Sequence, residues 1–185
     1  MTPMNSWLES ASDDDLLQHA AKGDQLAFEQ LYLRHSPAAF RYLHNLLRRE
    51  EAAEEILQET FLAVWEQAAL FEGRAKVKTW IFRIARNKAI SWLRAHRDTV
   101  PLDDRLSLSA RLSPKLSPED ADALRQALND LSPKHREVLE LAFGQGLSYN
   151  EIALVLSCPV GTVKSRVKYA LERMGSLLGR NGWDS

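Results

Sequence analysis

The sequence predicts an all-α protein of two small helical domains joined by a flexible linker. Three observations carry that expectation. Apolar residues recur at three- and four-residue spacing through most of the chain, the period of a helix with one buried stripe. That periodicity fails between Asp98 and Ser117, where DTVPLDDRLSLSARLSPKLS holds Pro101, Pro114 and four serines, a linker composition. Charge also segregates. Residues 1–30 carry one Lys against six acids, and residues 31–97 twelve Lys and Arg against seven. Residues 98–130 carry four against seven, and residues 131–185 seven against five. Two basic blocks separated by an acidic one read as two binding modules on a tether. The expected boundaries are 12–97, 98–117 and 118–178.

The elements follow in order. Ser12-x-x-Asp15 has the spacing of a capped helix start before Leu16 and Leu17, and Gly23 is placed to stop that helix. A second helix is expected over 24–48, with Phe28, Leu31, Tyr32, Phe40, Leu43 and Leu47 as its stripe and a kink or interruption at Pro37. A third, over 51–70, buries Ala53, Ile56, Leu57, Thr60, Phe61, Val64, Trp65 and Ala68, leaving Glu55, Gln58, Glu59, Leu62 and Glu66 on another face. By composition alone that acidic face is a solvated one. Leu62 within it hints weakly at an interface.

The chain is organised around residues 74–97, RAKVKTWIFRIARNKAISWLRAHR, which hold eight basic residues and no acid. Wound at about 100° per residue, Val77, Trp80, Ile81, Ile84 and Trp92 share one arc. Thr79, Arg83, Arg86, Asn87, Ile90 and Arg94 share the opposite arc. Solvated faces usually mix signs, because like charges repel at i,i+4 spacing. A single-sign face therefore points to an anionic partner, nucleic acid before a membrane surface. Trp80 and Trp92 fit base-stacking platforms by type, but their arc assigns them to the core. Lys88 falls inside the apolar arc, where it must snorkel or mark drift of the helix.

Beyond the linker, Ser117-Pro118-Glu119-Asp120 starts a helix whose stripe is Leu124, Ala127, Leu128 and Leu131. Ser132-Pro133 starts another, burying Val138, Leu139, Leu141 and Ala142 and ending at Gly144 to Gly146. Ser148-Tyr149-Asn150-Glu151 is a capping-box pattern before a two-turn helix with Ile152, Ala153, Val155 and Leu156 inside. Cys158-Pro159 breaks it and opens a longer helix to about residue 178. Val160, Val163, Val167, Ala170, Leu171 and Met174 form the inner stripe of this helix, and Thr162, Lys164, Ser165, Arg166, Lys168, Tyr169 and Arg173 the outer face. A short capped helix, a tight turn and a longer helix with a basic outer face is a helix-turn-helix pattern, whose second helix offers donors to the major groove.

Other chemistry is excluded. The chain has 185 residues and one cysteine, Cys158, too few for a disulfide framework or a cysteine zinc site. Cys158 reads as a small packed residue. His19, His35, His44, His96 and His135 show no ligand spacing, and Asp13 to Asp15 are a solvated run. There is no phosphate-binding glycine loop and no nucleophile–base pair, so no metal, no cofactor and no enzyme is expected. No apolar run approaches the ~20 residues of a membrane span. The first fifteen residues lack the form of a secretory signal, so a cytoplasmic protein without membrane insertion is expected.

Three stretches taken together resemble one family. These are Glu54-Glu55-Ile56-Leu57-Gln58-Glu59-Thr60-Phe61, then Thr79-Trp80-Ile81-Phe82-Arg83-Ile84-Ala85-Arg86-Asn87, then Leu147-Ser148-Tyr149 through Cys158-Pro159-Val160-Gly161-Thr162-Val163-Lys164-Ser165-Arg166. In this order they are similar to the extracytoplasmic-function (ECF) sigma factors of bacterial RNA polymerase, in the sigma-70 family, over nearly the whole chain. The resemblance implies that Glu55, Gln58, Glu59 and Leu62 dock on the clamp helices of the polymerase β′ subunit. It implies that Arg74, Lys76, Arg83, Arg86, Asn87 and Arg94, with the loop 71–77, recognise and melt the promoter −10 element. It implies that Thr162, Lys164, Ser165, Arg166, Lys168 and Tyr169 read the −35 element, that the second domain also sits on the β flap, and that the linker threads into the enzyme. An anti-sigma protein is a further expected partner. Ser91 stands where members often have Asp, and Lys168 and Tyr169 stand where the family varies, so base preference does not carry over. The rivals are an autonomous helix-turn-helix regulator and a helical DNA enzyme.

Overall fold

The computed structural model describes residues 6–96 and 118–179. The described residues contain helices and no strand, and the chain divides into two compact units, residues 1–100 and 101–185. The expected linker and Arg97 lie outside the described residues, as does the capping Ser117.

The first unit holds α1 (Ser6–Ser10), α2 (Asp13–Ala20), α3 (Gln25–Leu47), α4 (Glu50–Gln67) and α5 (Val77–Ala95). Ser12 caps α2 as the sequence predicts: its Oγ accepts from the Asp15 N–H at 3.1 Å. Gly23, at φ +91°, turns the chain after α2. Asp24 caps α3 by accepting from the Leu26 and Ala27 N–H groups at 3.0 and 3.1 Å.

Of the two outcomes expected at Pro37, interruption does not occur: α3 continues through it to Leu47. A proline leaves the carbonyl four residues earlier without its helical donor. Here that residue is Leu33, whose side chain is exposed along with Pro37, so water can serve the carbonyl. On the other side, Leu31 and His35 before the proline and Ala39, Tyr42 and Leu43 after it are all buried, so both halves pack on the same core.

α3, α4 and α5 pack against one another, with α2 across α3. The stripe predicted for α4 is buried except for Trp65, which is half-buried. Thr60 is fully buried within it, and its hydroxyl donates to the Ile56 carbonyl at 2.6 Å, so it costs no unmet polar group. The α3 stripe is narrower than predicted. Leu31, Leu43 and Leu47 are buried, Phe28 and Phe40 half-buried, and Tyr32 exposed.

The basic helix α5 is turned relative to its sequence reading. Its buried residues are Val77, Thr79, Ile81, Phe82, Ala85 and Ala89, an arc centred near Ala85. Thr79, placed on the polar arc by periodicity, is 1% exposed. Trp80 and Trp92 are only half-buried. The small side chains of Ala85 and Ala89 allow α3 and α4 to approach closely, and Phe82 fills the remaining volume against Tyr42, ring centres 5.4 Å apart.

α1 has no counterpart in the sequence reading. Arg34 of α3 fixes it: Nη1 donates to the Ala11 carbonyl at 2.7 Å, and Nη2 to the Leu8 and Glu9 carbonyls at 2.8 and 2.9 Å. These are carbonyls at the C-terminal end of a helix, which lack intrahelical donors. Next to Arg34, the buried His35 meets Asp13 of α2, Nε2 to Oδ2 at 2.8 Å. The Asp13 carboxyl is held below its ordinary range by the hydrogen bond from His35, against the opposing effect of burial, with Arg34 adding to the lowering.

The second unit holds α6 (Pro118–Asn129), α7 (Pro133–Leu139), α8 (Tyr149–Leu156) and α9 (Val160–Gly179). α9 packs on α6, α7 and α8. The predicted stripes of α6 and α8 are buried in full, and α7 buries Val138 and Leu139. Arg136 of α7 donates to the carbonyls of Leu128, Asn129 and Leu131 at 3.0, 2.8 and 3.0 Å, closing the end of α6.

After α7 the helix widens into a π turn over Glu140–Gly144. Glu140 is buried there and accepts from Gln145 Nε2 at 2.7 Å. A Cβ on Gly144 would lie 2.6 Å from Glu140 Oε1, so any larger residue there would have to displace this buried carboxylate from Gln145. In α9, Val163, Val167, Ala170 and Met174 are buried as predicted, whereas Val160 is half-buried and Leu171 is 46% exposed. Leu171 sits at the edge of the stripe, beside the buried Ala170.

Candidate functional site

The exposed face of α4 comes first in chain order. Glu55, Gln58, Glu59 and Leu62 are all exposed, as is Glu66. Leu62 is 58% exposed, a large apolar side chain among acids. It borders a groove of about 490 Å³ lined by Gln25, Phe28, Tyr32, Gln58, Phe61 and Trp65. The rings are packed edge-on, Phe28 to Trp65 at 5.0 Å and Tyr32 to Phe61 at 4.8 Å. Periodicity had assigned these aromatics to core stripes. The signal that marks the groove is two aromatic pairs at i,i+4 spacing, Phe28 with Tyr32 and Phe61 with Trp65, on adjacent antiparallel-capable helices.

The exposed face of α5 carries Arg83, Asn87 and Arg94, with Arg86 half-exposed at its side. Spacings of four and seven residues stack the first three on one line along the helix. Ser91 lies beside them, and its hydroxyl donates to the Asn87 carbonyl at 3.0 Å. Arg74 and Lys76 are exposed in the loop that leads into α5, Arg74 pairing with Glu72 at 2.6 Å. Gly73, at φ +69°, bends that loop. A cavity of about 580 Å³ lies against it, walled by Asp14 and Gln18 of α2, by Lys22 in the turn after it, and by Ala69, Phe71 and Glu72. Nothing in the sequence pattern pointed to α2 as a wall of this loop.

The two candidate stacking rings are already engaged. The His96 ring stacks on Trp92 at 4.2 Å and 14°, and the Arg49 guanidinium lies 5.7 Å from the Trp92 ring centre. Trp80 packs against Phe71 at 5.1 Å. Lys88 reaches out of the apolar arc to Glu59 Oε2 at 3.1 Å, which is the snorkelling alternative.

In the second unit, Ser148 and Glu151 form the predicted capping box. Glu151 Oε2 accepts from the Ser148 N–H at 2.8 Å, and Ser148 Oγ accepts from the Glu151 N–H at 3.3 Å. Ser157 ends α8 in the left-handed conformation, φ +51°, and α9 begins two residues after Cys158. Opposite the buried stripe of α9, Lys164, Ser165, Lys168 and Tyr169 are exposed and Thr162 and Arg166 half-exposed. Ser165 donates to the Thr162 carbonyl at 3.0 Å. Lys168 lies 3.7 Å from Glu172. The Tyr169 ring, 52% exposed, meets the His135 ring of α7 at 4.3 Å. Among the described residues no cluster of His, Cys, Asp and Glu could hold a metal ion.

Each unit thus presents a cationic helix face over an apolar core, and the first also presents an acidic, partly apolar one. Comparison with known proteins defines the class. The Sigma-70 region 2 family matches residues 31–99, and the Sigma-70 region 4 family matches residues 127–174. The ECF RNA polymerase sigma factor RpoE of Cereibacter sphaeroides is 34% identical over 161 residues, covering 82% of this chain and 86% of the relative. The solved structure of CnrH in complex with the cytosolic domain of CnrY superposes with TM-score 0.68 at 30% identity, over 95% of this chain and 100% of that one. The sigma factor RpoE in complex with the anti-sigma factor NepR from Bartonella quintana gives 0.64 at 29%, over 85% and 98%.

The chain belongs to the ECF sigma factors of the sigma-70 family. It is an RNA polymerase sigma factor for promoter-specific transcription initiation, and its family performs no catalysis of its own. The rival readings of an autonomous regulator and a DNA enzyme fall away.

Proposed function

We propose that the two units divide promoter recognition between them. The first unit, residues 12–97, recognises and melts the −10 element with Arg83, Arg86, Asn87 and Arg94 on α5 and with Arg74 and Lys76 in the loop. The second, residues 118–178, reads the −35 element as duplex with Thr162, Lys164, Ser165, Arg166, Lys168 and Tyr169, and rests on the β flap. Residues 98–117 pass between them into the polymerase.

The observation that carries this reading is the exposed row Arg83, Asn87 and Arg94. Arginines bind phosphates and release counterions, which favours holding a strand as it opens. Asn87, with an amide that both donates and accepts, suits a base edge. A pocket at the loop accommodates a flipped base and offsets its unstacking, which costs a few kcal/mol. Trp80 and Trp92 are not assigned base stacking, since each already packs against a protein ring.

Glu55, Gln58, Glu59 and Leu62 dock on the β′ clamp helices of core polymerase. Exposed acids around an exposed leucine and an aromatic groove support this, because such a surface fits a basic helix with apolar anchors. An anti-sigma protein is a further partner. Its support is that RpoE of Bartonella quintana is solved with the anti-sigma factor NepR. The protein acts in the cytoplasm, where its polymerase is. No helix among the described residues is long and apolar enough to cross a membrane.

Reconstitution with core polymerase tests the reading. Promoter-directed transcripts above those of core alone are expected, with loss on replacing either promoter element. Duplex binding without any stimulation of initiation would contradict it.

A further inference from the structure

His135 is not among the residues assigned above to either promoter element. It lies on α7, not on the recognition helix α9. Its ring nevertheless meets that of Tyr169 at 4.3 Å with a 30° tilt, so it backs an aromatic ring at the exposed surface. Nδ1 lies 2.9 Å from Ser132 Oγ, which leaves Nε2 for an outside partner. Lys134 of its own element and Arg166 of α9 act on it electrostatically. Two elements thus bring Lys134, His135, Arg166 and Tyr169 into one cationic and aromatic cluster.

We propose that His135 is an additional DNA-contacting residue of the second unit, positioning Tyr169 from behind and meeting a backbone phosphate of the −35 duplex through Nε2. The inference rests on the −35 reading above. Ser132 suits it to both charge states. A hydroxyl can donate to a neutral Nδ1, which puts the ring proton on Nε2 facing the phosphate. It can equally accept from Nδ1–H once the ring is an imidazolium.

A linkage to protons follows from the surroundings. In the free protein, burial, then Lys134, then Arg166, hold the His135 pKa below its ordinary value of 6.5. A phosphate neutralises the two cations and favours the charged ring, raising that pKa. Binding to the −35 element therefore takes up a proton. Affinity rises as pH falls from above the bound pKa towards the free one, in the range where histidine titrates.

The test measures promoter affinity of reconstituted holoenzyme by fluorescence anisotropy, at constant ionic strength, from about pH 7.5 to about pH 5.5. Wild type, His135→Gln, His135→Lys and Lys164→Ala are compared on promoters with and without the −35 element. The expected result is a tightening of about 3- to 10-fold on acidification, beyond that of His135→Gln, only where the −35 element is present. His135→Lys, permanently charged, should bind at neutral pH as tightly as wild type does when acidified. An unchanged pH profile in His135→Gln, with Lys164→Ala still weakening −35 binding, would overturn the role of His135 alone. Indifference of wild type to the −35 element and to Lys164→Ala would overturn the −35 reading beneath it.

Discussion

Lys88 of α5 and Glu59 of α4 form an ion pair, Nζ to Oε2 at 3.1 Å. It joins the basic helix, at its half-buried edge, to the acidic face of its neighbour. Glu59 thus has one oxygen committed within the unit while the side chain stays at the surface, 48% exposed. Both groups are solvated enough that the pair contributes only about 0–1 kcal/mol to stability.

That weakness makes Glu59 a clean probe of docking. Glu59→Lys should reduce affinity for core polymerase by at least about tenfold, since like charges across an interface cost several kcal/mol. The thermal unfolding midpoint should barely move. A Lys88→Glu, Glu59→Lys double variant restores the internal pair with reversed sign and should still fail to bind core. Recovery of core affinity in the double variant would mean that the single change acts through the pair and not through the docking face.

Asp13 should make the first unit acid-sensitive. Its folded pKa lies below the ordinary 3.8. The stability it contributes is therefore present above that unfolded value and lost as pH falls through the folded one. Asp13→Asn should cost about 1–3 kcal/mol at neutral pH, by leaving the buried His35 with a weaker partner. It should also flatten the decline in the unfolding midpoint below about pH 4. Parallel acid profiles for the variant and wild type would remove Asp13 as the cause.

The Ser148 cap bears on the helix-turn-helix alone. Ser148→Ala removes the acceptor for the Glu151 N–H and should destabilise the second unit by about 1 kcal/mol. Because α8 braces α9, transcription should lose part of its dependence on the −35 element while −10 melting persists. Permanganate reactivity of the −10 bases, alongside transcript yield on promoters lacking the −35 element, separates the two. Equal loss of both would argue against independent roles for the units.

The helices and caps of both units were largely legible in the sequence because local signals and packing agree there. Ser12 and Ser148 are read as caps and cap in fact. α4 reads correctly except at Trp65 because it packs on both α3 and α5, so its apolar stripe and its buried stripe nearly coincide. α5 reads with the wrong rotation because periodicity weights Trp80 and Trp92 heavily and alanine lightly. Close helix approach instead selects Ala85 and Ala89, and carries Thr79 inside. The clamp of Arg34 on α1 and the contact of His135 with Tyr169 join residues more than twenty positions apart. No local pattern encodes either. The α3–α4 groove was hidden by the same rule that found the core, which files every aromatic at helical spacing as buried.

The most direct measurement bears on the division between melting and duplex recognition. Holoenzymes carrying Arg83→Ala with Asn87→Ala, or Lys164→Ala, are compared on a fully paired promoter and on the same promoter with its −10 region mismatched into a pre-opened bubble. If α5 melts the −10 element and α9 reads the −35 element, the bubble restores transcription to the first variant and leaves the second as defective as before. Rescue of both variants, or of neither, would contradict that division.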